Sequence, residues 1–268
     1  MPKLSANLNM LFSEVPFIER FEAAAKAGFR GVEFWFPYAF DLDRIAEKLK
    51  FNNLEMVLFN LPAGDWDGGD RGIAANPDRV AEFQEGVGEA VEAGKKLGVR
   101  GINCLGGIAP PGVSEDRIYR TFVENLKFAD SELKKAGIRL LVEPVNNLDV
   151  PGAYLFHTQK AIDMIRETGS DNIFLQHDIY HMQRMEGELA STIRANIGLI
   201  RHMQLADNPG RNEPGTGEIN YHYLFRLIDS LGYEDWIGCE YHPKTTTLEG
   251  LGWIESHMAE TRHDDEIC

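Results

Sequence analysis

Four short apolar runs in the second half of the chain each end in a carboxylate or an amide side chain. A carboxylate placed directly after a buried strand is costly unless it is paired or bound to a metal. Carboxylate and amide oxygens suit Mg²⁺ or Mn²⁺, whereas Zn²⁺ prefers histidine and cysteine. The set therefore predicts a site for one divalent cation, Mg²⁺ or Mn²⁺. Its four residues are Glu143, Asp178, Gln204 and Glu240.

Glu143 and Glu240 are the best acid–base candidates in the chain. No Ser/His/Asp triad, Cys/His pair or nucleophile elbow stands out. A cation held between two carboxylates can polarise a carbonyl beside a hydroxyl and make the neighbouring C–H more acidic. One glutamate would take the C–H proton and the other would return it to the neighbouring carbon. This is an aldose–ketose type isomerisation through a metal-stabilised cis-enediolate.

Three further residues near the same strand ends are candidates for contacting a substrate. His181 could bind a substrate oxygen or shuttle a proton. Arg211 could clamp a substrate carboxylate, and Lys244 is another candidate anion contact. In contrast, His177 and His202 lie inside strands next to the candidate ligands, and we expect side-chain alternation to point them away from the site.

Eight strand-like runs alternate with eight helical patterns, and each helical pattern follows a strand. Such βα repetition implies a parallel sheet, and eight units over about 255 residues imply one closed (β/α)8 barrel. An open, doubly wound sheet is the main alternative, but no Gly-x-Gly-x-x-Gly follows the first strand and no phosphate loop occurs. The predicted strands are 5–10, 31–36, 55–60, 101–105, 138–143, 173–178, 199–204 and 236–240, and the predicted helices are 17–27, 42–49, 77–97, 114–136, 157–167, 186–196, 221–231 and 248–258.

A barrel would bring the four candidate ligands together, because the carboxyl ends of parallel strands meet at one mouth. The long loop 61–72 is then expected to act as a lid or binding loop beside that mouth. Its Trp66 supports this prediction, because an idle surface loop rarely carries a tryptophan.

Length and charge narrow the class of protein further. A chain of 268 residues fits one barrel domain at 1–258, followed by a polar tail at 259–268 that we expect to be disordered. With Lys+Arg 27 and Asp+Glu 42, the net charge is −15, which opposes binding to nucleic acid or to an anionic membrane. No apolar run reaches the roughly 20 residues of a membrane helix, and the N-terminus lacks a signal core, so we expect a cytoplasmic protein.

The three cysteines, Cys104, Cys239 and Cys268, match no zinc-binding or redox spacing. Cys104 and Cys239 lie in apolar runs, and we expect both to be buried thiols without a catalytic role.

Several segments, distributed over nearly the whole chain, resemble the hydroxypyruvate isomerase family. This family belongs to the sugar isomerase and epimerase superfamily of TIM barrels, which also contains endonuclease IV-like proteins. The longest similar run is 178–189, Asp-Ile-Tyr-His-Met-Gln-Arg-Met-Glu-Gly-Glu-Leu. The others are 5–8, 29–34, 60–66, 143–146, 204–209, 213–221 and 238–241.

The resemblance implies interconversion of hydroxypyruvate and 2-hydroxy-3-oxopropanoate (tartronate semialdehyde), a step of glyoxylate metabolism. It implies Glu143 and Glu240 as the acid–base pair, and both of them with Asp178 and Gln204 as metal ligands. Related ketose 3-epimerases carry a histidine at the third ligand position, where this chain has Gln204, so the need for the metal stays open. His181 and Arg211 occupy positions at which related epimerases hold substrate. The expected partner is a small 2-oxo acid, and assembly into a homo-oligomer is left open.

Four alternatives remain beside this reading. The nearest is an isomerase of 2-oxotetronate, with loops 59–71 and 106–112 setting the pocket length. A ketose 3-epimerase is disfavoured by Gln204. An endonuclease IV-like repair enzyme would need a histidine-rich multi-zinc site and a basic face. A barrel that only binds a metabolite would have no use for two strand-end glutamates.

Overall fold

The computed structural model, which describes residues 2–255, is a closed barrel of eight parallel strands arranged in chain order. Helices cover the outside of the barrel between successive strands, as predicted from the sequence. The strands are β1 Lys3–Asn7, β2 Gly31–Glu33, β3 Glu55–Asn60, β4 Gly101–Cys104, β5 Arg139–Val142, β6 Ile173–Asp178, β7 Ile200–Leu205 and β8 Trp236–Cys239.

The helices follow the predicted order, with one addition. A short helix comes directly after β6, in a stretch that we had predicted to be a loop. The helices are α1 Phe17–Lys26, α2 Leu42–Phe51, α3 Val80–Leu97, α4 Glu115–Lys135, α5 Thr158–Thr168, α6 Ile179–Met185, α7 Leu189–Asn196, α8 Tyr221–Ser230 and α9 Thr247–Gly250.

Side chains at the ends of the elements account for several of these boundaries. Asp41 caps α2 by accepting from the backbone N–H groups of Asp43 and Arg44. Ser114 caps α4. Asp178 ends β6 and also caps α6, because its carboxylate accepts from the N–H of His181. The tight junction between β6 and α6 therefore fixes a candidate ligand and a candidate substrate contact relative to each other.

Two predicted strands extended three residues too far, whereas the ends of the other strands agree to within one residue. β1 ends at Asn7 and β2 at Glu33, where the backbone turns and Leu8 N donates to Glu33 O at 2.8 Å. The predicted helix at 248–258 corresponds to α9 and to a further helical stretch at 252–255, and its last three residues lie outside the described residues. The predicted tail at 259–268 also lies outside the described residues.

The register of the barrel aligns polar residues across its mouth. Asn7 of β1 is level with Glu33 of β2, and Asp178 of β6 is level with Gln204 of β7. Asn60 of β3 is likewise level with Asn103 of β4. Outside the barrel, the apolar faces of the helices pack on the strands. Within residues 2–255, no helix is long and apolar enough to cross a membrane.

Candidate active site

A cavity of about 210 Å³ lies at the carboxyl ends of the strands. Its volume is below the roughly 300–1,000 Å³ typical of sites for drug-sized ligands, so it suits a metabolite of a few carbon atoms. Aromatic side chains of Phe34, Trp35, Phe59 and Trp66 form part of its wall. Its polar lining consists of Asn7, Glu33, Asn60, Arg71, Glu143, Asp149, Gln176, His181, Gln204, Arg211 and Glu240.

Glu240, directly after β8, is held in this cavity by three donors. Its Oε1 accepts from Trp35 Nε1 at 2.7 Å and from Asn7 Nδ2 at 3.1 Å. Its Oε2 accepts from Arg211 Nη2 at 2.8 Å. Burial nevertheless raises the pKa of Glu240 to about 7, although Arg211 opposes the rise. The carboxyl group is thus both fixed in position and able to exchange a proton near neutral pH.

Glu143, directly after β5, lies among other acids. Asn103 Nδ2 donates to its Oε2 at 2.7 Å. Burial, together with the charges of Glu240 and Asp178, raises the pKa of Glu143 well above its ordinary value. Asp178 also contributes to the raised pKa of Glu240. The charged forms of Glu143 and Glu240 are therefore disfavoured beside Asp178, and a cation bound between these residues would stabilise them.

The donor set fits a hard divalent cation. Ligand atoms of Glu143, Asp178 and His181 all lie within 4.8 Å of one another. Glu240 lies outside this cluster but faces the same cavity. Carboxylate oxygens are donors that Mg²⁺ or Mn²⁺ prefers. Gln204 fits less directly, because its Oε1 accepts from Gln176 Nε2 at 2.8 Å and would have to exchange that bond for a cation.

His181 lies on α6 with its ring buried at the cavity wall. Its Nδ1 lies 2.6 Å from Asn146 Nδ2, and its Nε2 lies 3.7 Å from Asp178 Oδ2. Burial lowers the pKa of His181 to about 4, so the ring is neutral at physiological pH. With Asn146 donating to Nδ1, the neutral ring carries its proton on Nε2. This tautomer favours donation to a substrate oxygen over metal ligation through Nε2.

Glu33, which also lines the cavity, is the centre of a buried hydrogen-bond network. Ser5 Oγ donates to its Oε2 at 2.8 Å, and Gln204 Nε2 donates to its Oε1 at 2.9 Å. Asn7 Nδ2 lies within hydrogen-bonding distance of both Glu33 Oε1 and Glu240 Oε1, at 3.3 and 3.1 Å. Glu33 is thus bonded directly to Gln204, and through Asn7 it is linked to Glu240.

The two strand histidines differ in direction. His202 has the same alternation as Gln204 and points into the barrel, where its Nε2 lies 3.0 Å from Glu33 Oε2. The prediction that His202 points away was therefore wrong. His202 lies two positions before Gln204, so both side chains point to the same side of the strand. His177 points the other way. Its ring is fully buried without a hydrogen-bond partner in residues 2–255, and burial lowers its pKa to about 4.

The structure places the predicted anion contacts in different environments. Arg211 reaches the cavity, but its guanidinium is bonded to Glu240 and lies 5.1 Å from the centre of the Tyr180 ring. Lys244 is exposed and does not line the cavity, and its backbone N donates to Glu213 Oε2. A substrate contact through Lys244 stays a prediction.

Sequence reasoning missed several polar residues of the site: Asn7, Glu33, Trp35, Arg71, Asn103, Asp149 and Gln176. A consistent reading of strand ends could have found part of this set. Asn7 and Glu33 end β1 and β2 just as Asp178 ends β6, so the strand-end pattern also marks residues in the first half of the chain. Gln176 shares the alternation of Asp178. No comparable signal marks Arg71, which lies in a loop.

Comparison with known proteins agrees with this fold. Residues 21–257 match the family model described as the xylose isomerase-like TIM barrel. The fold and the mouth of acidic side chains thus define a member of that class.

Within that class, the chain belongs to the hydroxypyruvate isomerase family. It is 51% identical over 257 residues to the hydroxypyruvate isomerase of Escherichia coli strain K12, covering 96% of this chain and 100% of that protein. It is 41% identical over 258 residues to a 2-oxo-tetronate isomerase of Cupriavidus necator, covering 96% and 99%. A solved Brucella melitensis structure, described as an AP endonuclease of family 2, has a TM-score of 0.93 at 44% identity, covering 96% and 99%.

Proposed function

We propose that this protein interconverts hydroxypyruvate and 2-hydroxy-3-oxopropanoate by proton transfer between two glutamates. The observation that carries the proposal is the placement of Glu143 and Glu240 in one small cavity, both buried and both with raised pKa. A reaction that removes a proton from one carbon and adds one to its neighbour needs a base and an acid of this kind. The 51% identity to a hydroxypyruvate isomerase supports the choice of substrate.

In the forward direction, one glutamate takes a proton from C3 of hydroxypyruvate, and the electron pair of that C–H bond forms the C2–C3 double bond of an enediolate. The other glutamate then donates a proton to C2. The hydroxyl proton on O3 moves to O2, which leaves an aldehyde at C3 and a hydroxyl at C2. Substrate and product are isomers, so the reaction requires no redox cofactor. Return of one proton from the first glutamate to the second, through solvent, restores both for the next turnover. Trp35 and Asn7 keep one carboxyl group, that of Glu240, in place throughout.

Glu143, Asp178 and Glu240 would hold the divalent cation, with Gln204 completing the set. When bound, Mg²⁺ or Mn²⁺ would polarise the substrate carbonyl and its neighbouring hydroxyl oxygen. His181, neutral and donating from Nε2, would orient a substrate oxygen beside Asp178. The requirement for metal is part of the proposal. So are a cytoplasmic location and a place in glyoxylate metabolism.

The runner-up is a 2-oxotetronate isomerase, which would use the same residues on a four-carbon acid. The 41% identity to such an enzyme keeps this alternative open, and the 51% identity favours the three-carbon acid. The small cavity also favours the shorter substrate. The endonuclease activity in the description of the Brucella structure would need a surface that attracts DNA, and the net charge of −15 does not support one here.

The test is a direct product analysis. Chelator-treated protein is incubated with hydroxypyruvate or with 2-oxotetronate, each with and without Mg²⁺ or Mn²⁺, and the products are followed by NMR. We expect metal-stimulated formation of 2-hydroxy-3-oxopropanoate, with a higher kcat/KM for hydroxypyruvate than for the four-carbon acid. A higher kcat/KM for 2-oxotetronate would mean that the four-carbon acid is the substrate, and it would leave the proposed roles of the two glutamates unchanged. Full turnover in the presence of chelator would remove the metal from the proposal, and no turnover of either acid would overturn it.

A further inference from the structure

The proposed substrate carries a carboxylate into a cavity that already contains several acids. The charges of Glu240 and Asp178 raise the pKa of Glu143, and a further negative charge would be repelled unless a cation receives it. The side chain that recognises the substrate carboxylate should therefore be cationic, line the cavity, and not be neutralised by an acid of the protein.

Arg211, the expected clamp, does not meet the last condition. Its Nη2 donates to Glu240 Oε2 at 2.8 Å. Its guanidinium also packs on the Tyr180 ring, which holds it beside Glu240. Releasing it toward a substrate would leave the buried Glu240 without its charged partner, which is costly. Arg211 is thus committed to positioning Glu240.

Arg71, at the end of the loop 61–72, meets all three conditions. It lines the cavity and is half-buried. Its Nη1 donates only to backbone carbonyls, those of Trp66 at 2.9 Å and Asp70 at 2.6 Å. Within residues 2–255 it makes no ion pair, and its Nε and Nη2 make no hydrogen bond. These two groups form one edge of the guanidinium, the geometry that binds a carboxylate with two parallel hydrogen bonds.

Two acids of the same loop, Asp70 and Asp65, are bonded to other groups. The carboxylate of Asp70 accepts from Arg79 Nη1 at 2.7 Å and from the backbone N of Asp65 at 2.7 Å. The carboxylate of Asp65 accepts from Gly68 N at 2.8 Å. The loop therefore uses these acids for its own structure and leaves the charge of Arg71 available to a ligand.

The same loop holds Arg71 in a defined position. The guanidinium carbon lies 4.4 Å from the centre of the Trp66 ring, a cation–π contact. Gly72 N donates to Ala63 O at 3.1 Å, which closes the base of the loop. Gly72 has φ +113°, and a Cβ there would overlap the backbone of Leu105, so the loop packs directly on the segment after β4. A cation fixed in this way loses little freedom when it binds a substrate.

We propose that Arg71 is the residue that binds the substrate carboxylate and thereby selects 2-oxo acids over neutral sugars. This inference rests on the proposed function, because it names the group that recognises its substrate. Trp66 orients the guanidinium, and Arg211 acts separately on Glu240.

The test compares an acid substrate with its neutral counterpart. Dihydroxyacetone differs from hydroxypyruvate by a CH2OH in place of the carboxylate, and its conversion to glyceraldehyde is the same chemistry. For R71M, we expect the KM for hydroxypyruvate to rise roughly 10- to 100-fold, as for loss of a charged hydrogen-bonded pair. The kcat/KM for dihydroxyacetone should stay within about twofold of the wild-type value. R71K should recover part of the loss, because it keeps the charge but not the paired donors.

Two matched variants separate this role from general damage. R100M removes an exposed cation that is paired with Glu55 and does not line the cavity, and it should leave the ratio of the kcat/KM values for the two substrates unchanged. R211M should lower kcat for both substrates alike. The inference is overturned if R71M lowers kcat/KM equally for both substrates or leaves the KM for hydroxypyruvate unchanged. It is also overturned if R211M, and not R71M, selectively loses activity on hydroxypyruvate.

A binding measurement keeps this test independent of turnover. Tartronate, an unreactive dicarboxylate of similar size, is titrated into wild-type protein and R71M by calorimetry. If wild-type protein does not convert hydroxypyruvate, the proposed function fails, and weaker tartronate binding by R71M than by R100M would still support Arg71 as a carboxylate receptor. Equal tartronate affinity in the two variants would exclude it.

Discussion

Gln204 donates a hydrogen bond from its Nε2 to Glu33 Oε1 in the interior of the barrel, at 2.9 Å. Because an ionised carboxylate accepts hydrogen bonds and donates none, it fixes which end of the amide faces it. Gln204 Oε1 is consequently directed away from Glu33, where it accepts from Gln176. Glu33 thus orients a residue of the proposed metal set without belonging to that set.

The first prediction concerns E33Q. A glutamine of the same shape can donate as well as accept, so it would leave His202 without its charged partner and allow the amide of Gln204 to turn. We expect a loss of about 1–3 kcal/mol in the free energy of unfolding, measured by urea denaturation. We also expect weaker Mn²⁺ binding, measured by electron paramagnetic resonance.

S5A is the control for that variant, because it removes one neutral donor to Glu33 and leaves the carboxylate in place. It should destabilise the protein less than E33Q and leave Mn²⁺ affinity unchanged. If E33Q had wild-type stability and wild-type Mn²⁺ affinity, Glu33 would have no orienting role.

The second prediction links metal, pH and stability. The pKa values of Glu143 and Glu240 are raised from an ordinary 4.5, the latter to about 7. The folded state therefore holds more protons than the unfolded state across that window, so metal-free protein loses stability as the pH rises from about 4.5 to 7. A cation that binds the deprotonated carboxylates should restore the loss.

The Tm of chelator-treated protein measures this effect, with and without Mn²⁺, at pH 5 and pH 7.5. We expect the Mn²⁺-dependent rise in Tm to be larger at pH 7.5 than at pH 5. In E240Q, which removes one of the titrating groups, the difference between the two pH values should shrink. A Tm shift that is the same at both pH values, or absent at both, would contradict the proposed cation site.

The fold could be predicted almost completely from the sequence, since hydrophobic runs, glycines that end helices and helical periodicity all indicate eight βα units. The errors were local. The apolar Leu8 and Phe34 extended β1 and β2 in the prediction, although the backbone leaves the sheet at Asn7 and Glu33. Apolarity marks burial, and residues just beyond a strand at the barrel mouth are also buried. The helix α6 was missed because it is only seven residues long and starts directly at Asp178.

The candidate site could be predicted in part. Strand-end acids follow from the parallel topology, which is why Glu143, Asp178 and Glu240 were found. The partners of these acids depend on which strands become neighbours across the closed barrel, and nothing local in the sequence reports that Asn7 and Trp35 meet Glu240. The pairing of Arg211 with Glu240 is of the same kind, because it joins two loops that fold over the mouth.

The third prediction concerns the buried thiols. Cys104 and Cys239 are fully buried, and burial raises the pKa of both thiols well above the ordinary value. Since the thiolate is the reactive form, native protein at pH 8 should not be alkylated at either residue by iodoacetamide, whereas protein in 6 M guanidinium should be alkylated at both. Peptide mass spectrometry measures this directly. Rapid labelling of Cys104 in native protein would contradict the packed interior at β4.

The central claim is that Glu143 and Glu240 divide proton removal and proton return between them. The measurement is turnover of hydroxypyruvate in D2O by wild-type protein, E143Q and E240Q, followed by ¹H NMR of the C3 hydrogens and of product. We expect each variant to lose at least about 100-fold in kcat, as for loss of an acid–base group. One of the two should still exchange the C3 hydrogens with solvent without forming product. Turnover near the wild-type rate in either variant would contradict the account.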